Sequence, residues 1–239
     1  MNVDIASSVS IPLTIYPPDD TVEVRVPSSA YTLEGFRAWA VSDDFPNRGR
    51  LTFAGGELIV DMSPESFEEQ GAVKTEICRV LSQVVRERKL GHFRIDRTLI
   101  SNRKAGLSNE PDSLFVARDA VKAGRVTFVP EVGRPQSSKE IVGTVDWVLE
   151  IVSPSSRRKD AHVLRDAYFR AGIPEYWLID VLGDEIDFQI LVPGDGGYQP
   201  MSPVDGMFPS PTFGASFRLV REKDEDGFWQ YTLEMRENN

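Results

Sequence analysis

The sequence has few residues that bind soft metals or form disulfides: it contains one cysteine, Cys78, and two histidines among 239 residues. One cysteine excludes an intrachain disulfide and a cysteine metal cluster, and two histidines argue against a histidine-rich zinc site. No stretch approaches the roughly 20 consecutive apolar residues that cross a bilayer, and the N-terminus lacks a basic segment followed by an apolar one. We therefore expect a cytoplasmic protein without a membrane partner.

Basic charge is also scarce, because 27 Lys and Arg residues face 37 Asp and Glu residues, for a formal net charge of -10 at pH 7. Proteins that hold nucleic acid tightly usually carry a basic face, so this balance argues against strong nonspecific DNA binding. The acidic average is compatible with a local basic groove on an otherwise acidic surface. Most of the acidic excess is expected to keep the chain soluble.

The spacing of apolar residues predicts both helices and strands. Helical periodicity begins at Thr32, a helix-capping residue, and recurs over about 64–90 and 158–171. Alternating or continuous apolar runs predict strands on both sides of the last helix. The other predicted features are an extended N-terminal arm (1–30), a hairpin around Gly55-Gly56, strands at 92–101 and 113–121 around a polar loop, a loop at 131–144 and C-terminal β-hairpins (182–239).

The order of these elements favours one domain of the α/β (α+β) class over residues 1–239. Consecutive antiparallel strands are followed by a strand–helix–strand unit, which requires one crossover connection. We therefore expect a mixed β-sheet flanked by helices, with additional β-hairpins.

A glutamate stands in the middle of the apolar run Val-Leu-Glu-Ile-Val at 148–152, which is typical of a buried strand. A buried carboxylate without a partner costs several kcal/mol, so Glu150 needs a cation to face. One alternative is a metal ion, and the other is a salt bridge to an arginine of the following helix. The arginines near that helix are Arg157, Arg158, Arg165 and Arg170.

Two further carboxylates occupy unusual positions. Asp112 follows Pro111 and directly precedes an apolar run, and Glu57 begins a predicted strand after the Gly55-Gly56 turn. Asp112 has an alternative as a turn or cap residue, and Glu57 as an exposed residue beside a turn. Carboxylates that converge from strand ends suit a hard divalent cation, so Asp112, Glu150 and Glu57 are the candidate ligands of Mg²⁺ or Mn²⁺.

Three passages, GGELIVDMSPES, NEPDSLFV and VLEIVSPSSRRKD with the following LRDAYFRAGIPEYWLID, together resemble the Uma-two family of restriction-endonuclease-like proteins. That family belongs to the PD-(D/E)XK nuclease superfamily, and the motifs fall within residues 31–181. The resemblance implies a mixed sheet flanked by helices and metal-dependent hydrolysis of DNA phosphodiester bonds. It also implies that Asp112, Glu150 and Glu57 are the family's acidic catalytic residues.

The catalytic lysine of that superfamily has no counterpart at its two expected positions, which Val152 and Leu164 occupy. Lys159 and Arg165 are the two cationic stand-ins. We favour Lys159, because an ammonium can lose its proton on desolvation whereas a guanidinium stays charged. The alternative for Lys159 is a solvated charge on the first helical turn. Where family members often carry a histidine, residues 68–70 are Glu-Glu-Gln.

Two functions are compatible with these residues. The first is a metal-dependent DNA endonuclease in which Asp112, Glu150 and Glu57 hold the ion, while Lys159 positions the attacking water or stabilises charge on the phosphate. The second is a binding or regulatory module that retains the fold without catalysis, which the missing lysine and the acidic charge balance favour. Either could act as a homodimer.

Overall fold

The computed structural model describes residues 13–15, 24–131 and 133–238. Near the N-terminus, β1 (Leu13–Ile15) pairs antiparallel with β2 (Val24–Val26). The predicted arm therefore contains a short strand pair, and its remaining residues before position 24 lie outside the described residues. No helix in the described ranges is long and apolar enough to cross a membrane.

Four α-helices and fifteen further strands make up the rest of the described chain. The helices are α1 (Leu33–Ala40), α2 (Ala72–Glu87), α3 (Arg118–Lys122) and α4 (Arg165–Arg170), and a π-helical turn leads into α2 (Phe67–Gly71) and into α4 (Lys159–Leu164). The strands are β3 (Arg50–Ala54), β4 (Glu57–Asp61), β5 (Gly91–Ile95), β6 (Leu99–Asn102), β7 (Leu107–Asn109), β8 (Ser113–Ala117), β9 (Val126–Glu131), β10 (Arg134–Gly143), β11 (Trp147–Ile151), β12 (Tyr176–Asp180), β13 (Asp187–Gly194), β14 (Gly197–Pro200), β15 (Phe208–Ser210), β16 (Ala215–Lys223) and β17 (Trp229–Glu237).

The central sheet has the order β14-β13-β12-β11-β8-β5. Its β11 and β12 are parallel and are joined by α4, whereas the other neighbours are antiparallel. Parallel neighbours need a crossover, and the helix supplies it. The predicted strand–helix–strand unit and the mixed sheet are both confirmed.

Strand β11 shows how the central sheet separates two cores. Trp147, Leu149 and Ile151 belong to the core that packs against α2 and the C-terminal strands. Val148 and Val152 belong to the core that packs against α4 and the second sheet. Side chains alternate along a strand, so Glu150 points into the α4 side of the sheet. The alternation of side chains along β11 therefore buries the Glu150 carboxylate.

Helix α2 covers the other face of the central sheet. The π-helical turn that leads into α2 follows Ser66, whose Oγ accepts hydrogen bonds from the backbone N–H groups of Glu69 (3.0 Å) and Gln70 (3.4 Å). The helical segment therefore begins after Ser66, slightly later than the predicted start at about 64. The apolar stripe that packs on the sheet consists of Val73, Ile77, Leu81 and Val85.

The second large sheet has the order β4-β3-β7-β6-β10-β9. The expected loop at 131–144 is wrong, because β10 pairs with β9 and with β6 over most of that range. The first part of β10 is polar and mostly exposed, so backbone pairing and not an apolar face holds it. Similarly, β7 lies within the predicted polar loop, and the run expected as a strand to residue 121 turns into α3 at Arg118.

The C-terminal hairpins are confirmed. The turn between β13 and β14 is Asp195-Gly196, and the turn between β16 and β17 contains Asp224 to Gly227. The latter hairpin, with β15, forms a three-stranded sheet that packs against α2. The single domain over 1–239 stays a prediction.

Candidate active site

A narrow polar cavity lies where β3, β4, β8 and β11 end or begin. Backbone pairing brings these ends together: Arg50 on β3 is opposite Asp61 on β4, and the N–H of Asp112 donates to the carbonyl of Leu149 on β11 (3.1 Å). The charged residues that line the cavity are Arg50, Asp61, Glu65, Asp112, Glu150, Lys159 and Asp160.

Asp112 is fully enclosed and strongly bonded, with 1% of its surface exposed. Its Oδ2 accepts the backbone N–H of Ile151 (2.7 Å), and its Oδ1 accepts Arg50 Nη1 (2.6 Å) and lies 3.2 Å from Lys74 Nζ. Burial opposes ionisation, but Arg50, Lys74 and the Ile151 N–H outweigh it and hold the pKa of Asp112 below its usual value. Asp112 is therefore a carboxylate at neutral pH.

Glu150 is equally buried but has no comparable clamp of cations. Its Oε1 accepts the Tyr168 hydroxyl (2.5 Å) and Asn109 Nδ2 (3.0 Å). The cation beside its Oε2 is Lys159 Nζ, 4.0 Å away. Burial raises the pKa of Glu150 to about 8; Lys159 opposes this shift, whereas the nearby carboxylates of Asp160 and Asp112 add to it. Additional positive charge near Oε2 would favour the ionised form.

Lys159 enters the cavity from the π-helical turn that precedes α4. The loop after β11 is closed by two reciprocal hydrogen bonds, from the Ser153 N–H to Ser156 Oγ (2.9 Å) and from the Ser156 N–H to Ser153 Oγ (3.0 Å). This closure places the ammonium 2.9 Å from Asp160 Oδ1 as well as beside Glu150. Burial lowers the pKa of Lys159, but Glu150 and Asp160 outweigh it and raise it overall, so the ammonium stays protonated.

The other candidate positions for the cation are occupied by structural residues. Val152 and Leu164 are buried in the core on the α4 side, and Arg165 Nη2 donates to the carbonyl of Tyr198 (2.8 Å). Val152 nonetheless faces the same side of β11 as Glu150, two residues away. Lys159, on the helical segment, therefore places a positive charge on the side of the sheet where the superfamily lysine position is occupied by the apolar Val152.

The structure does not bring Glu57 into this cavity. Glu57 is exposed at the turn end of β4, whereas Asp61, at the opposite end, lines the cavity. Four residues of strand separate the two by about 13 Å. Asp61 Oδ1 accepts the Ser63 N–H (2.9 Å), and its Oδ2 accepts the Ser155 hydroxyl (3.0 Å). Glu57 and Asp61 therefore lie at opposite ends of the same strand, and Asp61 is the one that lines the cavity.

A second group of carboxylates adjoins the cavity. Oxygens of Glu65, Asp96 and Asp112 lie within 4.8 Å of one another, a spacing that suits a metal ion. Lys74 Nζ, however, lies 2.6 Å from Glu65, 2.8 Å from Asp96 and 3.2 Å from Asp112. Arg50 also contacts all three carboxylates. Two cations therefore already neutralise this group, and an ion could bind only by displacing the ammonium.

Counting free acceptor sites favours the Asp112–Glu150 pair for a divalent ion. A carboxylate has about four lone pairs. Among the described residues, the hydrogen bonds to Glu150 all go to Oε1, which leaves Oε2 free in a buried cavity. Asp112 retains one lone pair on Oδ2 after its bond to Ile151. Buried carboxylate oxygens are the donors that Mg²⁺ prefers, so these residues fit such an ion.

Several residues that contact the candidate ligands were not found in the sequence analysis. Asn109 and Tyr168 fix one oxygen of Glu150, while Arg50 and Lys74 neutralise Asp112. The sequence around each of them gives no indication of these contacts, because each lies on a different element and fits the pattern of its own segment. Asp61 could have been found by asking which end of the predicted β3–β4 hairpin lies opposite the turn.

This architecture is that of a nuclease-like α+β fold. It is similar to the crystal structure of a putative nuclease from Anabaena variabilis, with a TM-score of 0.55 and 18% sequence identity over 76% of this chain and 90% of that one. The family model Uma2, described as "Putative restriction endonuclease", matches residues 33–219. The chain belongs to the Uma2 family, as the resemblance indicated. A search of curated proteins finds no match.

Proposed function

We propose that this protein is a metal-dependent DNA endonuclease that hydrolyses phosphodiester bonds at the Asp112–Glu150 cavity. The observation that carries the proposal is the free, buried Oε2 of Glu150 beside Asp112 and Lys159. Membership of the Uma2 family supports the nuclease class.

Four charged residues of the cavity have roles in this proposal. Asp112 and Glu150 hold Mg²⁺ or Mn²⁺ through carboxylate oxygens, with Asp61 replacing Glu57 as the third acidic residue of the cavity. A bound divalent ion lowers the pKa of a coordinated water and neutralises charge on a phosphoryl oxygen. The protonated Lys159 stabilises the negative charge that develops on the phosphate, because its raised pKa excludes it as a base at neutral pH.

The surrounding hydrogen bonds orient these groups before substrate arrives. The Ile151 N–H fixes Asp112 from the strand that carries Glu150, and Asn109 and Tyr168 fix Oε1 of Glu150 so that Oε2 faces the cavity. Preorganised groups contribute more to rate than mobile ones, since less reorganisation is needed during reaction.

A second candidate function is DNA binding without cleavage. The observation that favours it is the ion pair of Arg50 with Asp112, which occupies the carboxylate as a metal would. In this alternative Arg50 replaces the ion, and the apolar Val152 marks the loss of the usual lysine.

One experiment separates the two candidates. Plasmid and linear DNA are incubated with the protein in Mg²⁺ and in Mn²⁺, beside an Asp112→Ala control and an EDTA control. The endonuclease proposal expects nicked or linear products from wild type alone, and only with metal. Equal products from Asp112→Ala would assign the cleavage to a contaminant, and no products in either metal would favour the binding module.

A further inference from the structure

Four cations gather at one place on this acidic protein. Arg86 and Lys89 lie at the end of α2 and just after it, Arg94 lies on β5, and Arg118 begins α3; all four are exposed. They line a cavity of about 310 Å³ that has no carboxylate in its wall. We call these four residues the basic surface.

The basic surface is not neutralised by the protein itself. Within residues 24–131 and 133–238, no carboxylate forms an ion pair with any of the four. By contrast, Arg37, Arg50 and Lys74 all pair with acids. Like charges held together without partners are unfavourable, and the chain carries a net charge of -10 that could have balanced them. Salt screens exposed charges in part, and a polyanionic ligand would compensate all four at once.

Backbone carbonyls hold two of these guanidinium groups in place. Arg118 Nε donates to the carbonyl of Lys89 (2.8 Å), and Arg94 Nη1 donates to the carbonyl of Phe93 (2.7 Å). Each guanidinium has five N–H donors, so most remain free for an oxyanion. Burial lowers the pKa of the adjacent His92, and the charges of Arg94 and Arg118 lower it further, as expected in a positive field.

The basic surface and the candidate active site are joined by the same two elements, α2 and β5. Lys74 on α2 lies 3.2 Å from Asp112, and Arg86 follows about 18 Å further along the helix axis. The Asp96 N–H, just after β5, donates to the carbonyl of Asp112 (3.1 Å). Gly91, at the other end of that strand and opposite Ala117, which precedes Arg118, is about 17 Å away. Both paths therefore place Arg86 and Arg118 about 17–18 Å from the site, and Arg94, two residues before Asp96, lies between them and the cavity.

We propose that the basic surface binds the sugar–phosphate backbone of duplex DNA on one side of the bond that is cut, reaching about five base pairs from it at Arg86 and Arg118. The distance of about 17 Å corresponds to five steps of about 3.4 Å along one strand. β5 is an edge strand of the central sheet, so a duplex can follow it from the cavity to the basic surface. The proposal rests on the proposed function, because it takes DNA as the substrate.

The test measures binding without cleavage. Fluorescence anisotropy follows a labelled DNA duplex in EDTA, at salt concentrations between about 50 and 200 mM. Arg94→Ala/Arg118→Ala removes two charges from the basic surface. Lys104→Ala/Arg170→Ala is the matched control, because both residues are exposed and neither forms an ion pair with a carboxylate in the described part of the chain.

Each phosphate contact contributes about 0.9 to the slope of log affinity against log salt, so the first variant should lower that slope by about 1.8 and the control should leave it unchanged. Equal slopes in both variants, or no binding of the duplex by wild type, would overturn the proposal. A phosphate-only site would be indicated if inorganic phosphate stabilised wild type but not Arg94→Ala/Arg118→Ala while the DNA slopes stayed equal, and this too would overturn it.

The same variants separate this inference from the proposed function. Wild type that binds through the basic surface but cleaves no DNA in Mg²⁺ or Mn²⁺ would contradict the endonuclease and leave the basic surface supported. If wild type cleaves DNA in metal but both double variants show the same salt slope, the endonuclease would be supported and the basic surface contradicted.

Discussion

Replacing Lys159 by methionine should separate a structural role from a catalytic one. The change removes the ammonium that lies 2.9 Å from Asp160 and 4.0 Å from Glu150, both of which are 1% exposed. Removing one partner of a buried ion pair typically costs about 3–5 kcal/mol, since the other charge is left without compensation. We therefore expect Lys159→Met to lower the free energy of unfolding by that amount.

A second substitution should restore stability without restoring activity. In Lys159→Met/Asp160→Asn the unpaired Asp160 carboxylate is gone, so most of the lost free energy of unfolding should return. The phosphate still lacks its cation, so DNA cleavage should stay about 10²-fold or more below wild type, the usual effect of removing one preorganised charge-stabilising group.

The assays are urea unfolding for stability and a plasmid-nicking time course in Mg²⁺ or Mn²⁺ for activity. Arg165→Met is the control on the same helical segment, because its side chain binds the Tyr198 carbonyl and does not line the cavity. It should cleave DNA at close to the wild-type rate. A Lys159→Met/Asp160→Asn variant that also cleaves like wild type would refute the assigned role of Lys159.

Three further predictions concern metal, pH and stability. Mg²⁺ at about 100 times its Kd should stabilise wild type and Glu57→Gln by about 2.7 kcal/mol in thermal unfolding but leave Glu150→Gln unchanged; an equal gain in Glu150→Gln would exclude that ligand. In EDTA, the pKa of Glu150 rises from 4.5 to about 8 on folding, so its contribution to stability is lost as the pH rises through that window. Between these pH values, the Tm of Glu150→Gln should therefore fall less than that of wild type. Parallel profiles of Tm against pH for the two proteins would contradict this. Glu140→Ala should cost about 3 kcal/mol in urea unfolding, the lower end of the range for a broken buried pair, because the buried Arg37 keeps only the exposed Glu34 as its partner; a loss under about 1 kcal/mol would not fit.

Glu150 and Asp112 could be found in the sequence because their local surroundings are unusual. A charge inside Val-Leu-Glu-Ile-Val conflicts with burial, and that conflict points to a partner. Pro111 before Asp112 marks the start of a strand, which is where β8 begins. Both patterns span only a few residues, so they can be recognised without knowledge of the tertiary structure.

The charge balance of the cavity could not be found in this way. Arg50 begins a hairpin strand of the second sheet and Lys74 lies on α2, and only the packing of both against the central sheet brings them to Asp112. Tyr168 has the pattern of a core aromatic, and most of its ring is indeed core, while its hydroxyl binds Glu150. Such roles depend on which elements meet, and a local pattern does not contain that information.

The error at β10 and the position of Glu57 outside the cavity have physical causes of their own. β10 was expected as a loop because its first residues are polar, yet a strand can be held by backbone hydrogen bonds to two neighbours with little apolar burial. Glu57 was predicted because it begins a strand after the Gly55-Gly56 turn, whereas the structure places Asp61, at the other end of that strand, in the cavity. The direction in which a hairpin points relative to a distant carboxylate is set by the sheet order, and the order is a property of the whole chain.

The location of the bound ion tests the central claim most directly. Crystals soaked in Mn²⁺ give an anomalous difference map that shows where the metal lies. The account predicts a peak about 2 Å from Glu150 Oε2 and from an Asp112 oxygen, with Lys74 still in contact with Glu65 and Asp96. A peak among Glu65, Asp96 and Asp112 with the Lys74 ammonium displaced, or no peak beside Glu150, would contradict it.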